Sequence, residues 1–285
     1  IAPRPSALSS RPVFPTQSGN VNLEPINADV WNAGIVWAPT NSLSFTADYY
    51  SWDIDNEVTQ QSANGLMYQE YRCRAGLDDI NSPTCVQALS QVTRQPSNNY
   101  VVEIYTPKIN VSKRQMEAVT GTFNYLVDTS SWGSFAFDGN YTRILKHDRT
   151  IYEGDPTLDY LDNPYYSTDP KDRATLSCTW RQNDWSTTLY MNWMGETPNY
   201  VASISSSGYA APNAGKLDAF TTFNASVTYQ ALENLELSAL VTNLTNEMPP
   251  EDDSYPGSSG APYNSYNYSV YGRAVYFEVR YKFGQ

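Results

Sequence analysis

The chain has 285 residues, 30 acidic against 18 basic, a formal net charge of −12 and a single His. That balance argues against a nucleic-acid partner, and one His withdraws support from most zinc and Ser-His-Asp chemistry. Mean hydropathy is −0.52 and no stretch approaches the roughly 20 apolar residues of a membrane helix. Strands that alternate apolar and polar residues also average to neutral hydropathy. With 23 Tyr and 7 Trp, composition leaves two classes open: an aromatic-girdled membrane barrel and a secreted β-rich domain.

Period-2 alternation predicts nine strands along the chain. Val30–Trp37 is the weakest, followed by Leu43–Ile54. Glu117–Val127 and Ser134–Leu145 come next, the latter alternating Phe135, Phe137, Gly139 and Tyr141 with Ala136, Asp138, Asn140 and Thr142. Arg173–Trp180 and Trp185–Trp193 follow, then Phe223–Tyr229 and Leu235–Asn243. The clearest is the last: Arg273, Val275, Phe277, Val279, Tyr281 and Phe283 share one face, and Ala274, Tyr276, Glu278, Arg280 and Lys282 the other. Each is near the roughly 9–11 residues that cross a bilayer when tilted. Helical periodicity is faint and confined to Met67–Ala75 and Pro83–Val92.

The connections alternate in length. Ala38–Asn41, Asp128–Gly133, Arg181–Asp184 and Gln230–Asn234 are short; Asp55–Arg114, His147–Asp172, Glu196–Asp218 and Leu244–Ser269 are long. Membrane barrels have short turns on one side and long loops on the other, a rule that immunoglobulin-like sandwiches do not follow. The short connections are therefore expected on the periplasmic side. Phe277, Val279 and Tyr281 are expected to meet lipid, with Tyr276, Glu278 and Arg280 toward the lumen. Cys73 and Cys85 share one polar stretch of the longest connection and in an oxidising compartment would close a small ring. Cys178 is in phase with Leu176 and Trp180 and reads as a small hydrophobe. His147 reads as a solvated residue at a strand end. The carboxylates of Asp78-Asp79 and Glu251-Asp252-Asp253 read as solvated loop groups.

Several segments carry a family resemblance. Asn20-Val21-Asn22-Leu23-Glu24-Pro25, two strands, then Asp53-Ile54-Asp55-Asn56 resemble the start of the late barrel in TonB-dependent receptors. Ile26 stands where that family commonly has Glu, and Val58 at its second apolar position. Leu240-Val241-Thr242-Asn243-Leu244-Thr245-Asn246 is similar to the run that ends the family's penultimate strand. Gly272 followed by Phe277, Val279, Tyr281 and Phe283 resembles its closing strand, the signal read by the outer-membrane assembly machinery; Gly284 and Gln285 after Phe283 depart from the usual terminal Phe. Together the motifs cover about residues 20–283.

The resemblance implies an all-β fold: an antiparallel transmembrane β-barrel of which residues 1–285 supply nine C-terminal strands of about 22. It implies a bacterial outer-membrane location, with no plug domain or TonB box in these residues, and a chain that opens at Ile1-Ala2-Pro3 as if cut from something longer. The expected function is TonB-energised uptake of a scarce ligand, leaning to an oligosaccharide or other organic nutrient. A ferric siderophore or cobalamin is the alternative within the family. A secreted carbohydrate-binding module or adhesin is the alternative outside it. No enzyme activity, metal or cofactor is expected. Partners are the small-molecule or oligosaccharide ligand, TonB through an N-terminal part, outer-membrane lipid and the assembly machinery, with no nucleic acid. Loop aromatics Tyr160, Tyr165, Tyr166 and Tyr255 are candidate ligand contacts. The Cys73–Cys85 loop is expected to be ordered and to serve ligand capture.

Overall fold

The computed structural model describes residues 13–61, 63–151, 156–161, 169–199, 215–252, 263 and 267–283. The elements in chain order are β1 (Asn27–Thr40), β2 (Leu43–Gln60), α1 (Ala63–Arg74), α2 (Pro83–Gln91), β3 (Val92–Arg94), β4 (Val101–Ile104), β5 (Lys108–Thr129) and β6 (Gly133–Thr150). They continue with β7 (Leu158–Asp159), β8 (Asp172–Gln182), β9 (Trp185–Met194), β10 (Thr197–Pro198), β11 (Lys216–Leu217), β12 (Phe220–Leu232), β13 (Leu235–Thr242) and β14 (Ala274–Tyr281). One sheet runs β1-β2-β5-β6-β8-β9-β12-β13-β14, with β7 also on β6; β3 pairs β4 and β10 pairs β11. All nine expected strands are present and neighbours in sequence are neighbours in the sheet. No helix among the described residues is long and apolar enough to cross a membrane.

The chain divides into two compact units: Ile1–Val30, Trp52–Met116 and His147–Asp159, and Trp31–Ser51, Glu117–Lys146 and Tyr160–Gln285.

In the second unit the register carries two unbroken faces across the sheet. Phe137 lies opposite Cys178, which lies opposite Leu189; Leu189 faces Ala225, and Ala225 faces Val241, which meets Val275. The alternate rows are polar: Ala136 opposite Thr179, Thr179 opposite Thr188, Thr188 opposite Ser226. A one-residue slip anywhere would exchange the faces, so the apolar row fixes the pairing. Rings reinforce it: Trp37 stacks on Phe45 at 5.4 Å, and Trp185 on Tyr229 at 4.4 Å. Gly139 lies in the same row, where an added Cβ would stand 2.1 Å from the Phe123 ring. Phe277, Val279 and Tyr281 continue the apolar row, while Glu278 lies opposite Ser238 and Arg280 opposite Glu236 in the polar row.

The four short turns lie at one end of this unit's sheet and touch in sequence. Leu126 N donates to Ser42 O, Trp180 Nε1 to Trp132 O, Gln230 N to Asp184 O and Lys282 N to Asn234 O. Asn183 (φ 49°) and Gly133 (φ 77°) supply the left-handed conformations that tight turns need. A Cβ on Gly133 would sit 2.1 Å from the Arg181 carbonyl oxygen, so this position is closed to other residues.

The first unit holds two helices where the sequence shows only a faint period. Ser82 caps α2, its Oγ accepting from Cys85 N at 3.2 Å, with Pro83 in the first turn. Gly76 (φ 71°) terminates α1, and Leu77 N reaches back to Arg72 O. Leu66, Ala88, Val92 and Ile104 form a small core, against which Val13 packs. Cys73 and Cys85 are disulfide-bonded, with Cα atoms 5.6 Å apart. Both sulfurs' residues are buried, so the bridge joins α1 to α2 inside this core.

Three readings are corrected. β2, β5 and β6 run well past the expected spans, because their distal parts pair through charge rather than apolar alternation. His147 lies within β6, with its Nε2 buried, not at a solvated end. Asp78 is held by Arg72, and Asp252 is buried; neither is a solvated loop carboxylate.

Candidate functional site

In the first unit several charged side chains are engaged with one another. Glu70 is fully buried and accepts from Arg74 Nε at 2.5 Å and from Arg94 Nη2 at 2.6 Å. Burial pushes its carboxyl up, but the hydrogen bonds and charges of the two guanidiniums prevail and hold it below the usual carboxylate range. Arg72 grips Asp78 with both Nε (2.8 Å) and Nη2 (2.6 Å). This fork lowers the Asp78 carboxyl and raises the Arg72 guanidinium, in each case chiefly through the hydrogen bonds. Glu57 binds Arg114 at 2.5 Å and Arg149 at 2.8 Å, and Lys113 binds Asp53 at 3.0 Å. These pairs hold the distal parts of β2, β5 and β6. The Asn20–Pro25 and Asp53–Asn56 motifs meet on Asn110, whose side chain donates to the carbonyls of Glu24 and Asn56 and accepts from Glu24 N. The resemblance in that region is therefore a structural joint. Asn110 is the part of it that sequence reading missed.

The second unit holds a recess of about 470 Å³, within the usual range for small-molecule sites. It lies on the polar face, at the long-loop ends of the strands. Two cross-strand rows build it. One runs Thr142, Arg173, Met194, Phe220; the next runs Asn140, Thr175, Asn192, Thr222. Asn224, Thr242 and Asn243 line it beside these, and Asn267, Ser269 and Tyr271 close it from the approach to β14. Tyr268 braces the wall: its hydroxyl bonds the buried Thr197 Oγ1 at 2.8 Å and its ring meets Phe220 edge-on at 5.3 Å. Burial pushes the Tyr268 phenol up, and the Thr197 hydrogen bond counters part of it.

Within the described residues the side chains of Arg173, Thr175, Asn192 and Thr222 have no hydrogen-bond or ion-pair partner. Arg173 is exposed, and Thr175, Asn192 and Thr222 are part-buried. Asn243 is different. It has φ 49°, its backbone N donates to Asn224 Oδ1, and its side chain closes a turn on Glu247. Asn246 Oδ1 accepts from Arg273 N at 2.8 Å, and a Cβ on Gly272 would approach that oxygen to 2.7 Å. The Asn243–Asn246 motif and Gly272 therefore fix where β14 begins.

Of the residues expected to act, Cys73 and Cys85 are together. Phe277 and Val279 are exposed along β14, and Tyr281 meets Phe283 ring edge to face at 4.6 Å. Tyr160 is partly buried directly after β7. Tyr165, Tyr166 and Tyr255 lie outside the described residues. The recess residues were missed. Each is one polar position in an alternating strand, and only the register joins them.

The comparisons bear on the whole of this architecture. The family described as "TonB dependent receptor-like, beta-barrel" matches residues 2–244. No curated protein sequence matches the chain. Among solved structures it is similar to the ferric enterobactin receptor PfeA of Pseudomonas aeruginosa in complex with BCV-L6, at 17% identity and TM-score 0.59, over 93% of this chain and 32% of that one. It is also similar to the FrpB iron transporter of Neisseria meningitidis, at 12% identity and TM-score 0.54, over 94% of this chain and 33% of that one. The copper transporter OprC aligns at 14% identity and TM-score 0.51, over 92% of this chain and 33% of that one. At these identities the likeness shows the fold alone, and the chain spans about a third of the length of each. With a sheet of the right register, one-sided short turns and a family match over most of its length, the chain belongs to the TonB-dependent receptor family, as part of the wall of an outer-membrane β-barrel.

Proposed function

We propose that the receptor containing this chain takes up a ferric chelate of the siderophore class across the outer membrane, with energy delivered through TonB. The observation that carries the reading is the recess: unengaged donors and acceptors grouped on the lumenal face, where a ligand entering from the long-loop side would meet them. The family's members are receptors and transporters, and binding followed by release is what such a surface does. The names of the similar structures point to metal cargo, ferric enterobactin, iron and copper. The ferric-chelate reading therefore replaces the lean toward an oligosaccharide. In this reading the closing strand, with Gly272, Phe277, Val279, Tyr281 and Phe283, serves as the assembly signal, and the disulfide-bonded first unit presents a preformed surface to the medium.

The test is uptake of radioactive iron, supplied as a ferric tris-catecholate, by cells with and without the full-length receptor. Uptake should require both the receptor and TonB. Equal uptake by cells lacking the receptor, with no other catecholate receptor expressed, would overturn the reading.

A further inference from the structure

In the first unit, residues 13–24 run beside residues 104–110 and are fastened to them step by step. Thr16 pairs in parallel with Tyr105: its N donates to Ile104 O at 2.8 Å, and Thr106 N donates to its carbonyl at 2.9 Å. Ser18 Oγ lies 2.5 Å from the Tyr105 hydroxyl, and Asn20 Nδ2 donates to Lys108 O at 3.1 Å. Glu24 ends the series on the Asn110 side chain, which accepts from its N at 2.9 Å and donates to its carbonyl at 3.0 Å. Beyond Thr16 these fasteners use side chains and face solvent. Apolar contact adds little: Val13 packs against the small core, whereas Phe14 is 79% exposed and Val21 99%. The other side of residues 104–110 is held differently. Ile104 pairs with Val92, and Tyr105 N donates to Gln91 O at the end of α2, at 2.8 Å. Ile104, Thr106 and Ile109 are buried. Two successive amides are thus committed to different elements, Tyr105 to α2 and Thr106 to Thr16.

We infer that residues 13–24 are a latch, which opens as a unit while the disulfide-bonded helices stay folded; the inference does not depend on the cargo. Local opening costs least where buried apolar contacts are few and hydrogen bonds face solvent. The latch meets both conditions. The helices meet neither, since they share a core, a disulfide and the buried Glu70 ion pairs. The latch leads into β1, and what it grips is β4 and the start of β5. Closed, it ties the approach to β1 to the connection that carries the helices. Open, it removes that tie and uncovers the outer side of Tyr105–Asn110. Asn110 is its main catch, because one carboxamide serves both backbone groups of Glu24 and also donates to Asn56 O at 2.7 Å. Asn56 Nδ2 adds a bond to Glu24 Oε2 at 3.2 Å.

The test is hydrogen exchange, resolved to single amides through overlapping peptides, on the purified full-length receptor in detergent with no ligand added. Protection should fall into two classes. The amides of Thr16, Glu24 and Thr106 should share one; those of Tyr105 and of residues 63–91 should share another, at least about tenfold higher. Asn110→Ala should lower the first class roughly tenfold to a hundredfold, the range expected for losing two hydrogen bonds, and leave the second within about twofold. Tyr105→Phe removes only the Ser18 contact and should lower the first class by about twofold to tenfold; this milder variant carries the test if Asn110→Ala does not assemble. One common protection for Thr16, Tyr105, Thr106 and the helices would overturn the latch. So would a loss in either variant that spreads equally to residues 63–91, or one that is absent at Thr16 and Thr106.

Discussion

In the first unit Glu70 is buried between Arg74 and Arg94, Arg72 clasps Asp78, and a disulfide ties the two helices. In the recess of the second unit Arg173, Thr175, Asn192 and Thr222 hold nothing of their own chain. The residue types overlap, and a guanidinium is central to both. What differs is whether its partner is built in. A small core of Leu66, Ala88, Val92 and Ile104 cannot hold a two-helix body by itself, so the first unit uses charge and a covalent link for shape. The sheet of the second unit is held by register and its apolar face, which leaves its polar face free for recognition. Stability and recognition are thereby assigned to different residues, and substitutions should separate them.

The largest effect is expected at Glu70. Glu70→Ala leaves Arg94 part-buried without its counter-charge, and losing one partner of a buried pair costs about 3–5 kcal/mol. The helices at residues 63–91 should become sensitive to protease in the intact receptor, with the barrel still assembled. Removing the bridge by Cys73→Ser comes next, at about 3 kcal/mol in the chain-entropy account. Nicking between residues 74 and 84 would report it.

Acid should act in the same direction. The Glu70 and Asp78 carboxyls are both lowered on folding. Their contribution is therefore fully present above the unfolded carboxylate value of about 4 and is lost as pH falls through the lower folded values. Protection of residues 63–91, the intrinsic over the observed exchange rate at each pH, should be constant from neutrality down to about pH 5 and fall below about pH 4. Protection lost on going alkaline instead would contradict the pairing. The smallest stability effect is expected in the recess: Thr222→Val should change barrel stability by less than about 0.5 kcal/mol, since no intramolecular bond is lost, while weakening ligand binding. A large loss of stability there would mean that the recess is structural after all.

Much of the fold was legible in the sequence because the apolar row must repeat every second residue. The β14 alternation, the four short turns and the Cys73–Cys85 ring follow from local pattern and spacing. The extra lengths of β2, β5 and β6 were not legible. There the strands pair through Glu57 with Arg114 and Arg149, and Asp53 with Lys113, and alternation of hydrophobicity disappears. The helices were nearly invisible for a related reason. α1 buries Glu70 as well as Leu66, so its inward face is not apolar. The recess was hidden differently: Arg173, Asn192 and Thr222 sit on three strands, and only the pairing of Arg173 with Met194 and of Asn192 with Thr222 brings them side by side.

The division between the two regions is tested most directly by hydrogen exchange on the full-length receptor with and without ferric tris-catecholate. The account predicts that the ligand slows exchange in residues 267–273, the non-strand segment that closes the recess, and leaves residues 63–91 as they were. Slowing confined to residues 63–91, with none at 267–273, would contradict it.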